Sequence, residues 1–294
     1  MSSSAKSLRN KAFSASVPAK PLVTFALALV CWPSLASAEP VAVRYAEGDL
    51  HGFLVLRTLD GNISAAGDLI QTVRGDVVTA RLTFRFKDGS LQDETTVYSQ
   101  RRTFRLISDH LVQKGPAFPE PVDMTIDGGS GKVTVRYRDE EGKQRVENEN
   151  FDVPPDLANG MILTLLKNAR PNTPPKSLSL IAATPKPRLV KLAISSAGQQ
   201  PFSLAGSRRE AQHYVLKVEI GGIAGLLAPF VGKQPPDSHV WILDAAVPAF
   251  VRAEQPLYAG SPLWRIELAT PAWPPTPAAA TQADQRVAST RPAR

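Results

Sequence analysis

Cysteine is nearly absent from this sequence. The chain has 294 residues, a single cysteine at Cys31 and only four histidines. One cysteine cannot form an intramolecular disulfide or a zinc site made of several thiolates. Neither a phosphate-binding loop nor a GxSxG nucleophile elbow occurs. These absences exclude a disulfide-stapled scaffold, and we predict no catalytic residue, no metal ligand and no cofactor from the sequence.

The N-terminal apolar run is also too short to cross a bilayer, which takes about 20 apolar residues. This run, PLVTFALALVCW at 21–32, follows a segment with four basic residues and no acidic residue. Ala36-Ser37-Ala38 after it is a small-x-small cleavage site. We therefore predict a signal peptide over 1–38, cleaved after Ala38, and a periplasmic or secreted protein. A membrane anchor and lipidation at Cys31 are the alternatives.

The net charge of +7 gives no support to nucleic-acid binding. Four of the 34 Lys and Arg, and none of the 27 Asp and Glu, fall in the first 38 residues, which leaves +3 for the rest. A charge this small is ordinary for a globular domain. We predict no nucleic-acid partner.

Alternation of apolar and polar residues dominates the segment 39–270. It is clearest at 82–86, 133–137, 214–220 and 264–268. Successive side chains of a strand point to opposite faces, so each run has one apolar and one solvated face. Short glycine-containing turns separate the runs, which is typical of consecutive hairpins. We predict a mainly β domain: a curved antiparallel meander, either a half-barrel or an incomplete barrel, of about ten strands.

One segment has helical rather than strand periodicity. Leu157, Met161 and Leu165 recur at every fourth residue, after Asp156, a residue type suited to an N-cap. We predict one helix at about 156–168 that covers the concave face of the sheet.

A second departure is the apolar, glycine-rich run GGIAGLLAPFVG at 221–232. It is either a buried loop that closes one end of the core or an apolar lip over a cavity. After it, residues 271–294 are rich in Pro and Ala and have too few large apolar groups to fold. We predict a disordered tail there.

The acidic residues and histidines form no recognisable site. Asp93 and Glu94 are adjacent near a turn, where carboxylates are usually solvated. Asp109 and His110 are neighbours on a strand, so they point to opposite faces. None of the histidines lies at zinc-ligand spacing from another ligand on a shared element.

Four stretches, FKDGSLQDETTVYSQ (86–100), PPDLANG (154–160), KPRLVKL (186–192) and GKQPPD (232–237), resemble a family of exported bacterial proteins without assigned function. The resemblance implies export and a single domain, with no implied activity. More distantly, a long meander with a covering helix is similar in architecture to the half-barrel fold of periplasmic lipoprotein carriers.

These observations lead to one principal hypothesis and two alternatives. The principal hypothesis is an exported, non-enzymatic protein that binds an apolar or amphiphilic, lipid-like ligand on the concave face of the sheet. The alternatives are a cell-envelope interaction or structural module and a periplasmic hydrolase using His110 or Asp93. The expected ligand contacts are Leu157, Met161 and Leu165 of the helix and Ile223, Leu226, Leu227 and Phe230 of the apolar run.

Overall fold

The computed structural model describes residues 39–204, 206–219 and 235–270. Within these ranges the protein is mainly β, as predicted, with fourteen strands and one short helix. The elements are β1 Leu50–Thr58, β2 Ile63–Arg74, β3 Val77–Phe86, β4 Leu91–Gln100, β5 Phe104–Lys114, β6 Val122–Asp127, β7 Lys132–Arg138, β8 Gln144–Asn150, α1 Ile162–Asn168, β9 Ser177–Ala182, β10 Arg188–Leu204, β11 Ser207–Glu219, β12 Ser238–Leu243, β13 Phe250–Pro256 and β14 Leu263–Leu268.

All fourteen strands belong to one antiparallel sheet in the order β8-β7-β6-β5-β4-β3-β2-β1-β14-β13-β12-β11-β10-β9. The sheet consists of a first meander, β1 to β8, and a second meander, β9 to β14. Pairing of β1 with β14 joins them, with Leu54 opposite Leu268. The edge strands β8 and β9 do not pair with each other, so the sheet is an incomplete barrel.

The alternation in the sequence gives the sheet its two faces. On β3, Phe84 and Phe86 are buried, whereas Arg81 and Arg85 lie on the solvated side. The turn into β4 contains Gly89, whose φ of +85° suits glycine. The predicted antiparallel meander is therefore confirmed at the level of single side chains.

The predicted strand number of about ten is too low. Strand β13, for example, has little alternation of large apolar and charged residues, because two of its inward positions carry the small Ala253 and the polar Gln255. Pairing with both neighbours, β12 and β14, nevertheless holds it in the sheet. Hydrophobic patterning underestimates strands of this kind.

The connection at 151–176 explains why the helix lies inside. It leads from β8 at one edge of the sheet to β9 at the other. Backbone hydrogen bonds join its first part to both edges of the sheet. Phe151 N–H donates to Gly131 O beside β7 (2.9 Å), and Ala158 N–H donates to Ser179 O on β9 (2.9 Å). The helix that follows packs within the same hydrophobic core as residues of both meanders.

The helix itself is shorter than predicted. It begins at Ile162, not near Asp156, and Asp156 caps nothing: its buried carboxylate oxygens have no hydrogen-bond partner in the described part of the chain. Gly160, with a φ of +64°, interrupts the helical path. Before it, Leu157 forms a parallel bridge with Ser179, so this stretch extends the sheet edge instead.

Three predicted segments lie outside the described residues: the signal peptide at 1–38, the apolar run at 221–232 and the tail at 271–294. Among the helices of the described ranges, none combines the length and hydrophobicity needed to span a membrane.

Candidate ligand-binding cavity

A cavity of about 600 Å³ lies between the inner face of the sheet and α1. This volume is within the range of about 300–1,000 Å³ typical of small-molecule sites. Both meanders and the helix contribute to its wall. Most of the lining side chains are apolar, among them Leu50, Leu54, Leu69, Leu82, Leu111, Met124, Ile162, Leu163, Leu180, Val190, Leu192, Leu216, Val240, Phe250, Leu257, Tyr258 and Ile266.

The predicted helical contacts do not line this cavity. Leu157, Met161 and Leu165 are buried in the hydrophobic core, each at most 2% exposed. The helix instead presents Ile162 and Leu163 to the cavity, and both keep part of their surface free. The residues at every fourth position therefore pack into the hydrophobic core, whereas Ile162 and Leu163 beside them form part of the cavity wall.

The remaining predicted contacts, Ile223, Leu226, Leu227 and Phe230, lie outside the described residues.

Polar residues interrupt the apolar wall at several places, and the largest group of them lies on β4 and β5. Strand β4 directs a series of polar side chains toward the cavity, and β5 adds two more beside them. We call this group the polar strip: Gln92, Glu94 and Thr96 of β4 with Asp109 and Gln113 of β5. All of these except Asp109 line the cavity, and Asp109 is buried beside Thr96.

Glu94 lies in the middle of an aliphatic row that crosses five strands. Its register partners are Leu82 on β3 and Leu111 on β5. The row continues to Leu69 on one side and Met124 on the other. All four neighbours line the same cavity. A carboxyl group thus faces the cavity from within an otherwise aliphatic surface.

Hydrogen bonding within the polar strip is incomplete. Thr96 Oγ1 donates to Asp109 Oδ1 (2.7 Å), and Gln113 Nε2 donates to Gln92 Oε1 (3.0 Å) and to Leu257 O (2.8 Å). The buried oxygens Asp109 Oδ2 and Gln113 Oε1 accept no hydrogen bond from the described residues. The carboxyl group of Glu94 likewise forms no hydrogen bond or ion pair within the described ranges. Buried polar atoms without partners are uncommon and call for an explanation.

The apolar surroundings favour the protonated forms of both acids. Burial, reinforced by the nearby charge of Asp109, raises the pKa of Glu94 to about 8. Burial also raises the pKa of Asp109 to about 6, although the hydrogen bond from Thr96 and the proximity of His110 oppose this effect. At neutral pH, Glu94 is therefore mostly an uncharged acid that is able to ionise.

The turn before the helix covers one end of the polar strip. Asn159 holds the turn to β9, because its side-chain amide donates to Ile181 O and accepts from Ile181 N, both at 2.9 Å. The next residue, Gly160, lies so close to β4 that a Cβ there would be 1.8 Å from Thr96 Oγ1. Glycine is required at this position both for its φ and for this close approach.

At the other end of the helix, the positive charge of Lys167 is paired with the negative charge of Glu47. Lys167 lines the cavity, but its Nζ is 2.5 Å from Glu47 Oε1. Tyr98, at the same end, lies 3.4 Å from Thr164 Oγ1 through its hydroxyl. Burial raises the pKa of Tyr98 above its ordinary range, so the phenol stays neutral.

The residues of the hydrolase alternative lie on the opposite face of the sheet. Asp93 forms a two-point ion pair with Arg81, at 2.9 and 2.5 Å. His110 is about half exposed and pairs with Asp123 through Nε2 (3.1 Å). The expectation that Asp109 and His110 point to opposite faces is confirmed. Neither Asp93 nor His110 contributes to the cavity wall.

The outer face also holds a histidine pair that sequence spacing did not reveal. His213 on β11 and His239 on β12 approach to 3.0 Å between Nε2 and Nδ1. Trp241 stacks on His213 with ring centres 4.4 Å apart, and Arg252 lies over the Trp241 ring at 4.1 Å. Burial, followed by the charges of His239 and Arg252, lowers the pKa of His213. The pair has no third ligand: within the described ranges no group of three or more His, Cys, Asp or Glu could hold a metal ion.

Comparison with known proteins gives little further information. No protein-family model and no curated protein matches the sequence. Among solved structures, the chain is similar to the crystal structure of a β-barrel-like protein of domain of unknown function DUF1849 from Brucella abortus. The two share 12% sequence identity with a TM-score of 0.39, over 76% of this chain and 98% of that chain.

Proposed function

We propose that this protein binds an apolar or amphiphilic ligand in the cavity between the inner sheet face and α1, without catalysing a reaction. We further propose that it does so outside the cytoplasm, after removal of a signal peptide at 1–38. N-terminal sequencing of the protein purified from the cell envelope or medium tests the second part, and Glu39 is the expected first residue.

The observation that carries the proposal is the cavity itself. Side chains such as Leu82, Leu163 and Ile266 surround a space of about 600 Å³, which falls within the range of small-molecule sites. A ligand with an apolar body would bury the surface of these side chains and gain packing contacts with them.

The interaction-module alternative has less support. It requires an accessible sheet edge or apolar patch. The edge strand β8 is exposed, but its sequence QRVENEN is mostly polar and charged, which disfavours pairing with another strand. The other edge strand, β9, is covered in part by Leu157 and Asn159.

Binding of an uncharged fluorescent probe tests the proposal directly. N-phenyl-1-naphthylamine should bind the purified protein saturably at one site, with an increase in its emission. Native mass spectrometry and organic extraction should in addition recover a co-purified amphiphile. A protein that gives no saturable signal and no extract would contradict the proposal.

A pair of matched variants locates the binding site. Leu163→Trp places a larger side chain in the cavity and should weaken probe binding by about tenfold or more, since it removes space that the probe needs. Leu189→Trp makes the same change at an exposed residue of β10 and should leave binding unchanged. Equal effects of the two variants would show that the probe binds elsewhere.

A further inference from the structure

The polar strip indicates which chemical group the ligand carries. Asp109 Oδ2 and Gln113 Oε1 are buried hydrogen-bond acceptors without a donor among the described residues. The carboxyl group of Glu94 faces the cavity with no partner in those ranges. Glu94 and Gln113 line the cavity, whereas Asp109 is buried beside Thr96. A wall with unpaired acceptors is complementary to a ligand that brings donors.

The charges around the cavity favour a positive ligand group. Lys167 is the only cationic side chain on the described part of the wall, and Glu47 already pairs with it. The other ionisable carboxyl groups at the cavity are Glu94 and, at its exposed rim, Glu219, with Asp109 buried beside Thr96. An anionic head group would find no free cation on the described part of the wall, whereas a cation would find the carboxyl group of Glu94, which can ionise.

We infer that the ligand is an amphiphile whose polar end is a protonated amine, and that this amine donates hydrogen bonds to Glu94. The inference rests on the proposed function. An ammonium group has three donors and no acceptor, which suits the unpaired carboxyl group of Glu94 on the cavity wall. The aliphatic residues on either side of Glu94, including Leu82 and Leu111, would contact the apolar chain.

Binding of a cation should be coupled to release of a proton. Before a ligand binds, Glu94 is mostly protonated at neutral pH, because desolvation in the cavity wall and the charge of Asp109 raise its pKa to about 8. When the ammonium enters, Glu94 transfers its proton to the solvent buffer, so the buried pair of ligand and carboxylate has no net charge. The other charged groups near the cavity are Asp109, Glu219 and the Lys167–Glu47 pair.

The test compares ligands of one chain length and different head groups. Dodecylamine, dodecanol and dodecanoate each compete with N-phenyl-1-naphthylamine at pH 7, below their critical micelle concentrations. We expect dodecylamine to bind about ten- to hundredfold more tightly than dodecanol, the factor typical of a hydrogen bond to a charged group. Dodecanoate should bind most weakly. Calorimetry in two buffers of different ionisation enthalpy should show proton release with dodecylamine.

Substitution of Glu94 identifies the group responsible. Glu94→Gln should abolish the preference for dodecylamine over dodecanol and the proton release. Glu94→Leu, which also removes the hydrogen-bonding capacity, should give the same loss of preference. Asp93→Asn is the matched control, because Asp93 is adjacent in sequence but lies on the outer face.

The outcomes separate this inference from the proposed function. If none of the three ligands binds, the proposed function fails. If all bind equally, if dodecanoate binds best, or if Glu94→Gln changes nothing, the cavity binds amphiphiles but the inference of an amine is overturned.

Discussion

Thr96 Oγ1 donates a hydrogen bond to Asp109 Oδ1 across strands β4 and β5, at a distance of 2.7 Å. This bond satisfies one carboxylate oxygen and leaves the other without a partner in the described part of the chain. The same hydroxyl lies directly beneath Gly160. The pair therefore connects the acidic part of the cavity wall to the turn that precedes the helix, and both features are open to test.

Gly160→Ala should destabilise the protein strongly. The substitution forces alanine into a φ of +64° and places its Cβ 1.8 Å from Thr96 Oγ1. Gly142→Ala is the control, since Gly142 has a φ of +78° and nothing within 4 Å of an added Cβ. We expect a loss of about 1 kcal/mol for the control and about 3 kcal/mol or more for Gly160→Ala, measured by urea unfolding. If the two variants lost equal amounts of stability, the turn would be able to move away from β4 without a loss of folding free energy.

Asn159→Ala should loosen the edge of the sheet at β9. The side chain of Asn159 makes two hydrogen bonds to the backbone of Ile181, in the manner of a neighbouring strand. Their removal leaves a buried N–H and C=O unpaired, which costs about 1–3 kcal/mol. Hydrogen exchange of the Ile181 amide should accelerate, whereas amides in the centre of β3 should change no more than global stability requires. An unchanged Ile181 amide would refute this role.

The fold class was predictable because alternation is strong where one strand face is aliphatic. On β3, Leu82, Phe84 and Phe86 share a face, and their phase is evident from the sequence alone. Strand β4 shows no such phase, because Gln92, Glu94 and Thr96 on its inner face are all polar. The turn at Asp88-Gly89 nevertheless contains the missing information: it pairs Phe84 with Gln92, which places Glu94 on the inner face. Counting from that turn would have identified Glu94.

Other parts of the site were beyond sequence reasoning. An irregularity opposite Val97 and Tyr98 shifts the register of β5 and brings Asp109 to the inner face, in the same series as Leu111. No local sequence signal fixes the position of such a shift. The pairing of His213 with His239 likewise depends on the register between β11 and β12, which are separated by a long connection.

His213 should make the protein less stable in acid. Its pKa is lowered from 6.5 in the folded state, so the unfolded chain takes up a proton first as the pH falls. The stabilisation due to neutral His213 is complete above pH 6.5 and is lost as the pH falls through the folded-state pKa. His213→Gln should therefore lose less stability than the unsubstituted protein between pH 7.5 and 5, measured by urea unfolding at each pH.

If the stability of His213→Gln falls with pH as steeply as that of the unsubstituted protein, protonation of the histidine pair does not contribute to acid sensitivity.

Glu94 should have the opposite effect on stability. Its pKa is raised from an ordinary value of 4.5 to about 8, so the folded protein holds a proton that the unfolded chain releases. The stabilisation from this difference is present below pH 4.5 and is lost as the pH rises to about 8. Glu94→Gln cannot ionise, so its stability relative to the unsubstituted protein should increase with pH. Because one pKa unit corresponds to about 1.4 kcal/mol, a rise from 4.5 to about 8 predicts an advantage of up to about 5 kcal/mol at pH 8.5 that vanishes near pH 4.5. Asp93→Asn, which removes an outer-face carboxylate held in an ion pair, should show no such gain. If the advantage of Glu94→Gln were independent of pH, Glu94 would be ionised in the empty cavity, and amine binding would then release no proton.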